Sequence, residues 1–478
     1  MKTITLTLCR LNALLVKILI LLMASSISFN AKALYFEALA VPNLPVQKRL
    51  PIKPAIKKPL DKVSNKIEQV INKPLPSITD ALPETIQVLD KSGNPIFKEV
   101  TLKDGSRAVE HQWIVMLNQN DVFQLQQSIE KNKWPIEIVS QQRFNALATT
   151  LVTFKVSSTM DDRQSLSVVF SKQAMQTLDR NHVYRPQQVS INTDSQILAN
   201  RSVVDRQNKN TSIQGNQTVC DKPVNIGVID TAINLNHELF KNRNIQQKIF
   251  LPKDAVEPTS HGTAVVGRFF VQPESPETSA LTGSFRQTAP LANHANVKLA
   301  SVFYSRENAT QGAALQHLLE GINWLINQQV PVINMSLTGP DNRLLKLVID
   351  AAIAKGVIIV AAAGNEGPAA APVYPAGYKK VIAVTAVDNE QNIYRWANQG
   401  EYIDFAALGV SVFTARSNGG FGIETGTSMA APVVTAAIAC HGFKGDLTVD
   451  ELINRLAQSV LDLGDKGRDP VFGIGLIE

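Results

Sequence analysis

Two hydrophobic patterns divide this chain. From about residue 220 onward, mostly apolar runs recur at Asn225–Asp230, Val297–Phe303, Val330–Met335, Val357–Ala363 and Val381–Val387. Apolar runs without polar alternation read as parallel strands buried on both faces. Between them lie segments of helical length, such as Gln311–Gln328 and Leu344–Lys355. Two more helices are expected to open near Ser260 and Gly426. Strands alternating with helices predict an α/β fold, a mostly parallel sheet covered on both faces. Side chains that do chemistry in such sheets gather at the strands' carboxyl ends, and Asp230, Ser336 and Asn365 all stand there.

Residues 86–187 read differently, as a small α+β unit. Gln112–Leu117 is strand-like, and Asp121 can cap a helix through Asn132 with Val122, Leu125 and Ile129 on one face. Ile136–Ser140 and Leu151–Val156 predict two strands, and Asp161–Leu178 a second helix. Glu110 beside His111 reads as a surface pair. From Gln187 to Val219 the chain turns polar and rich in Asn, Gln and Ser, as an exposed connector does, with the segment 188–219 left between the two units.

The first 33 residues have the pattern of an export signal. Lys2, Arg10 and Lys17 precede an apolar run from Ile18 to Ile27, and Ala31-Lys32-Ala33 offers a small-x-small cleavage site. That run is shorter than the roughly 20 residues of a spanning helix, so no stable membrane span is expected after cleavage. An uncleaved signal would instead leave an N-terminal membrane anchor. Residues 34–85 follow as a linker. Eight prolines between Pro42 and Pro83 are interleaved with eight Lys/Arg between Lys48 and Lys73, which makes an extended spacer, with a wall- or lipid-binding tether as the alternative.

Composition bounds the function. The chain has 478 residues, enough for two or three domains. Lys and Arg number 47 against 41 Asp and Glu, a formal charge of +6 that invites a nucleic-acid or anionic-membrane partner. The excess is local. Residues 1–219 carry 27 basic against 17 acidic groups, and residues 220–478 carry 20 against 24. The second part is mildly acidic, so nucleic acid is not expected as a partner. Three cysteines exclude a disulfide-dense scaffold and any multi-cysteine metal cluster. Cys9 falls in the signal, and the sequence leaves open whether Cys220 and Cys440 pair.

Three short sequences carry the chemistry. Ser260-His261-Gly262-Thr263 opens a helix, Ala361-Ala-Ala-Gly364-Asn365 follows a strand, and Gly426-Thr427-Ser428-Met429-Ala430-Ala431-Pro432 opens another helix. With Asp230, these motifs resemble the subtilisin-like serine peptidases, the subtilase family (peptidase S8), over about Asn225 to Glu478, within a catalytic domain set at residues 220–478. The resemblance implies a three-layer α/β/α fold and a catalytic triad of Asp230, His261 and Ser428, with Asn365 completing an oxyanion hole. The physical chemistry agrees. A serine hydroxyl needs a neighbouring base, for which neutral histidine is suited. A carboxylate fixes the imidazole tautomer and stabilises its protonated form. A helix start and an amide donor favour a developing oxyanion.

By the same resemblance, Ser336, Leu337, Thr338 and Gly339 form the edge that pairs with substrate backbone. Val373 floors the specificity pocket, and its branched side chain predicts a small or modest apolar residue before the scissile bond. The chain departs from the family pattern at Ala264 and Val433, where many members carry histidine, which touches packing rather than proton transfer. No dense Asp/Asn loop follows the His261 helix, so no calcium site is expected, nor any other metal or cofactor. His237, His294 and His441 read as bystanders.

Members of this family commonly carry an N-terminal prodomain that assists folding and plugs the active site. Residues 86–187 fit that place, and Asp179–Pro186 resembles the terminal stretch of such prodomains in proteobacterial relatives. The expectation is an exported endopeptidase, periplasmic or extracellular, acting on protein or peptide substrates. It would be made as a zymogen that processes itself within 187–219 and is held by its own prodomain. The rival class is a catalytically silent binding protein of the same fold.

Overall fold

A computed structural model describes residues 85–187, 220, 222–271, 290–442 and 447–478. The expected signal, nearly all of the Pro/Lys-rich linker, the connector 188–219 and the loop 272–289 after the His261 helix lie outside the described residues. All described residues belong to one unit, Ser77–Glu478.

The N-terminal part begins with a hairpin that the sequence patterning did not reveal, β1 (Thr85–Leu89) and β2 (Pro95–Thr101). It continues through β3 (Arg107–Leu117), α1 (Gln119–Asn132), β4 (Ile136–Phe144), β5 (Thr149–Val156), α2 (Arg163–Leu166), α3 (Ala174–Thr177) and β6 (Asp179–Pro186). Helix α1 starts three residues earlier than expected because Asn118, not Asp121, is its cap. The Asn118 side chain accepts from the Asp121 N–H at 2.8 Å.

The expected long helix over Asp161–Leu178 is instead two single turns. Asp161 is pulled out of helical geometry by Trp113 Nε1, which donates to it at 2.9 Å, and by Arg180. Asp162 then caps only a short turn, and the Ser167 hydroxyl turns back to the Gln164 carbonyl at 2.6 Å. His111 pairs with Asp161 at 3.0 Å rather than with Glu110.

The α/β part runs β7 (Val224–Asp230), β8 (Ile245–Ile249), α4 (Ser260–Phe270), β9 (Ala295–Ser301), β10 (Tyr304–Ser305), β11 (Gln311–Ala314), α5 (Leu315–Asn327), β12 (Val332–Met335), β13 (Leu337–Thr338) and α6 (Arg343–Ala354). There follow β14 (Ile358–Ala362), β15 (Ile382–Val387), β16 (Phe405–Leu408), β17 (Val412–Ala415), β18 (Phe421–Glu424), α7 (Thr427–His441), α8 (Val449–Leu456) and β19 (Leu476–Ile477). Eight strands form a parallel sheet in the order β19-β16-β15-β14-β12-β7-β9-β8.

Successive side chains of one strand enter opposite cores. In β7, Ile226 and Val228 pack with α4 and α7, while Ile229 packs with α5 and α6. In β14, Val360 joins the first core and Ile359 and Ala361 the second. Apolar residues on both faces of the central strands therefore produce three layers, α/β/α, while the edge strand β8, Ile-Gln-Gln-Lys-Ile, stays largely exposed. Cys220 and Cys440 do pair, with Cα atoms 5.5 Å apart, tying the start of this part to the last turn of α7.

A second sheet runs β1-β2-β3-β6-β11-β10, with β5 paired to β3, β4 to β5 and β13 to β6. It joins the two parts of the chain. The first four residues of the expected helix Gln311–Gln328 are strand β11, because they pair with β6 through Ala313–Tyr184 and Ala314–Val183. The run Trp113–Leu117 is apolar at every position for a related reason. Trp113, Val115 and Leu117 face Val122 and Leu125 of α1, whereas Ile114 and Met116 face the core that contains Leu318 and Leu344 of α5 and α6.

Candidate active site

Asp230, His261 and Ser428 come from three elements brought to one end of the parallel sheet. Asp230 is the last residue of β7, and its Oδ1 accepts from the Thr231 N–H at 2.7 Å. His261 lies in the first turn of α4, with Nδ1 2.8 Å from Asp230 Oδ1 and 3.0 Å from Oδ2. Both side chains are buried. Burial draws the His261 pKa down, but the Asp230 charge and hydrogen bond outweigh it, so the imidazole titrates above its ordinary range. His261 Nε2 is buried and has no hydrogen-bond partner among the described residues.

Ser428 stands in the first turn of α7, and its backbone is fixed by a buried polar chain. The Ser336 hydroxyl donates to the Ser428 carbonyl at 3.0 Å, Asn334 Nδ2 donates to Ser336 Oγ at 3.0 Å, and the Thr435 hydroxyl reaches Asn334 Oδ1 at 3.0 Å. Helices α4 and α7 are also joined directly, since Arg268 Nε donates to the Met429 carbonyl at 3.3 Å. Asn365 follows β14, and its Oδ1 accepts from the Thr427 N–H and hydroxyl, both at 3.0 Å. Those two bonds fix the amide orientation and turn Nδ2 toward the cleft. Gly426 is required beside it. Its φ is +150°, and a Cβ there would lie 2.9 Å from Asn365 Nδ2.

The cleft is filled by the chain's own strand β6. Pro186 and Arg185 pair antiparallel with Leu337 and Thr338, and on its other side Tyr184 and Val183 pair with Ala313 and Ala314. The Gln187 carbonyl accepts from Ser428 Oγ at 2.9 Å and from Asn365 Nδ2 at 3.3 Å. Tyr184 is buried, and its hydroxyl donates to the Pro340 carbonyl at 3.0 Å. Gly339 makes room for that ring, since a Cβ there would lie 2.2 Å from it.

The expected edge residues thus divide their work. Leu337 and Thr338 pair with the occupying strand, Ser336 anchors the Ser428 backbone, and Gly339 pairs with Tyr374 while admitting Tyr184.

The pocket beside Gln187 differs from the expectation of a small apolar side chain. The Gln187 amide donates to Thr338 Oγ1 and, at 2.8 Å, to Glu366 Oε1. Arg185 reaches the same Glu366 oxygen at 2.5 Å. Val373 contributes its carbonyl to a turn closed by the Gly377 N–H at 2.8 Å. Gln187, expected at the head of an exposed connector, is buried.

Sequence reasoning also missed Glu366, Asn334 and Thr427. Asn334 did carry a signal, a lone amide inside an apolar strand. Glu366 sat one residue past a recognised motif. His237 is a structural bystander, buried, with Nδ1 accepting from the Leu239 N–H at 3.1 Å.

A hydroxyl, an imidazole oriented by a carboxylate, and an amide donor converging on one peptide carbonyl are the parts needed for acyl transfer. The model of the Subtilase family, peptidase S8, matches residues 221–475, and the chain belongs to that family. Its class is that of the serine-type endopeptidases.

Among individual proteins, it is 34% identical to the minor extracellular protease Epr of Bacillus subtilis over 166 residues, 34% of this chain and 26% of that protein. It is 31% identical to the major intracellular serine protease of Bacillus subtilis over 259 residues, 51% of this chain and 77% of that protein. The crystal structure of fervidolysin from Fervidobacterium pennivorans, a keratinolytic enzyme related to subtilisin, shares the fold. The TM-score is 0.58 at 17% identity, over 83% of this chain and 63% of that one. The relatives include extracellular and intracellular proteases, and no helix among the described residues is long and apolar enough to cross a membrane.

Proposed function

We propose that the chain is the zymogen of an exported serine endopeptidase that cuts itself after Gln187 and is then held inactive by residues 86–187, its prodomain. The observation that carries this reading is the Gln187 carbonyl, met by Ser428 Oγ at 2.9 Å and Asn365 Nδ2 at 3.3 Å.

His261 Nε2 takes the proton as Ser428 Oγ attacks the Gln187 carbonyl carbon. Asp230 holds the resulting imidazolium without accepting its proton. Asn365 Nδ2 stabilises the oxyanion. The imidazolium then protonates the leaving amine of Gln188, the C–N bond breaks, and water releases Gln187 from the acyl-enzyme by the reverse proton path. Strand β6 remains paired on both sides after the cut, so the product strand blocks the cleft until the prodomain leaves.

Substrates then bind as β6 does, by strand addition to Leu337–Thr338 and Ala313–Ala314. Thr338 and Glu366 favour a side chain with donors, such as Gln, Lys or Arg, before the scissile bond. The paired Cys220 and Cys440 agree with export to an oxidising compartment.

The test follows chain length and reaction with a fluorophosphonate, which labels activated serines, in wild type and Ser428→Ala. The wild type is expected to shorten and to be labelled once the prodomain is removed. Ser428→Ala should stay full length and unlabelled. Equal lengths with no labelling in either would favour the silent binding protein.

A further inference from the structure

The hairpin β1–β2 does not touch the reacting atoms, yet it makes a buried, charged contact between the two parts of the chain. It is docked by main-chain and ring contacts. The Gln87 N–H donates to Glu307 Oε1 at 2.9 Å, the Glu307 N–H donates to the Gln87 carbonyl at 3.1 Å, and Phe97 meets Tyr304 edge-on at 5.1 Å. At its centre Glu99 is fully buried. Its Oε1 accepts from Tyr304 Oη at 3.0 Å and from Arg306 Nε at 2.9 Å, and its Oε2 from Arg107 Nε at 3.2 Å.

On the α/β side, Arg306 is held independently of Glu99, and the Tyr304 ring is buried. Arg306 Nη1 donates to Thr310 Oγ1 at 3.2 Å and to the Gln311 carbonyl at 2.6 Å, both within its own hairpin β10–β11. Gly312 leaves the space, since a Cβ there would lie 2.6 Å from Arg306 Nη2 and 2.9 Å from Glu99 Oε1. Departure of the N-terminal part therefore leaves a positioned guanidinium edge and a hydroxyl, both donors, with no acceptor between them. A charged donor fixed in advance loses little freedom on meeting a carboxylate.

The site also lies beside the substrate edge. Counting back from the bond after Gln187, Val183 is the fifth residue, and it packs with Tyr304 and Ala314 in one cluster. A glutamate in that place extends its carboxylate two bonds beyond the valine methyl groups, along the same face.

We infer that Tyr304 and Arg306 form a carboxylate-binding exosite, filled by Glu99 in the zymogen and, after the prodomain leaves, by an acidic side chain at the fifth residue before the scissile bond of a substrate. The inference rests on the peptidase reading for its second occupant only.

Two measurements test it. The self-cleaved enzyme, freed of its prodomain, is given two fluorogenic peptides with Tyr-Arg-Pro-Gln before the cut, preceded by Glu in one and Gln in the other. The wild type should prefer the Glu peptide in kcat/KM by roughly five- to twenty-fold, a preference that fades in high salt. Arg306→Gln should bring the ratio to about one. Tyr304→Phe, which keeps the ring against the substrate edge, should lower it about three-fold. A ratio of one in the wild type overturns the inference.

The second measurement needs no activity. In full-length Ser428→Ala, hydrogen exchange across residues 85–101 should accelerate at least ten-fold when Arg306→Gln is added. Unchanged protection overturns the site. A preparation that cleaves neither peptide overturns the peptidase reading, and the exchange result then decides the site by itself.

Discussion

The two large sheets of this molecule are built on opposite principles. The parallel sheet is drawn from strands of one part of the chain, and its central strands β7, β12, β14 and β15 are buried on both faces between helices. The second sheet is assembled from three distant stretches, residues 85–186, 304–314 and 337–338, and several of its strands are only two to four residues long. The first sheet fixes where Asp230 and Asn365 emerge. The second presents a peptide bond to them. Scaffold and substrate register are thus separable, and variants can strike one without the other.

The largest effect expected short of removing the proposed nucleophile, Ser428, falls on the scaffold side. Asn365→Ala leaves β6 paired but removes the Nδ2 donor from the Gln187 carbonyl, and self-cleavage should slow by ~10²–10³-fold at an unchanged position. Time courses of chain length with mass determination check both features. Movement of the cut site would mean that Asn365 also sets register.

The register side is struck by Tyr184→Ala. It empties a buried pocket shaped by Gly339, and loss of a buried aromatic costs ~3–5 kcal/mol, of order 10²-fold or more in prodomain seating. The cleaved complex should then become active at much higher total concentration on dilution. An unchanged dilution curve would show that β6 is not what holds the plug.

The mildest prediction is a pH effect. As the proposed base His261 works only when neutral, and the Asp230 pair, overcoming burial, raises its pKa above the ordinary 6.5. Self-cleavage should therefore fall as pH drops through a midpoint above 6.5. A midpoint below that value would mean that burial outweighs the Asp230 pair.

The same division explains what was legible. The central strands of the parallel sheet announce themselves as apolar runs because burial on both faces leaves little polar alternation, whereas the exposed edge strand β8, Ile-Gln-Gln-Lys-Ile, and the short β16 and β19 did not. The site motifs were legible because they are local, with His261, Asn365 and Ser428 each at an element end. Strand β11, by contrast, is Gln-Gly-Ala-Ala, with neither β-branched nor aromatic residues, and becomes a strand only through pairing with β6. The hairpin β1–β2 lies where a proline-rich linker gives way to the α+β unit, and its Glu99 finds its partners 205 and 207 residues away. Glu366 was hidden for a similar reason. Its role depends on Gln187 and Arg185, some 180 residues upstream, coming to rest beside it.

The central claim is that the bond held at the reacting groups is the one that is cut. N-terminal sequencing of the shortened wild-type chain tests it directly, with the short-time product read before further trimming. Cleavage after Gln187 gives a product beginning at Gln188, and no such product from Ser428→Ala. A first product beginning elsewhere in 188–219, or the same product from Ser428→Ala, would contradict the account.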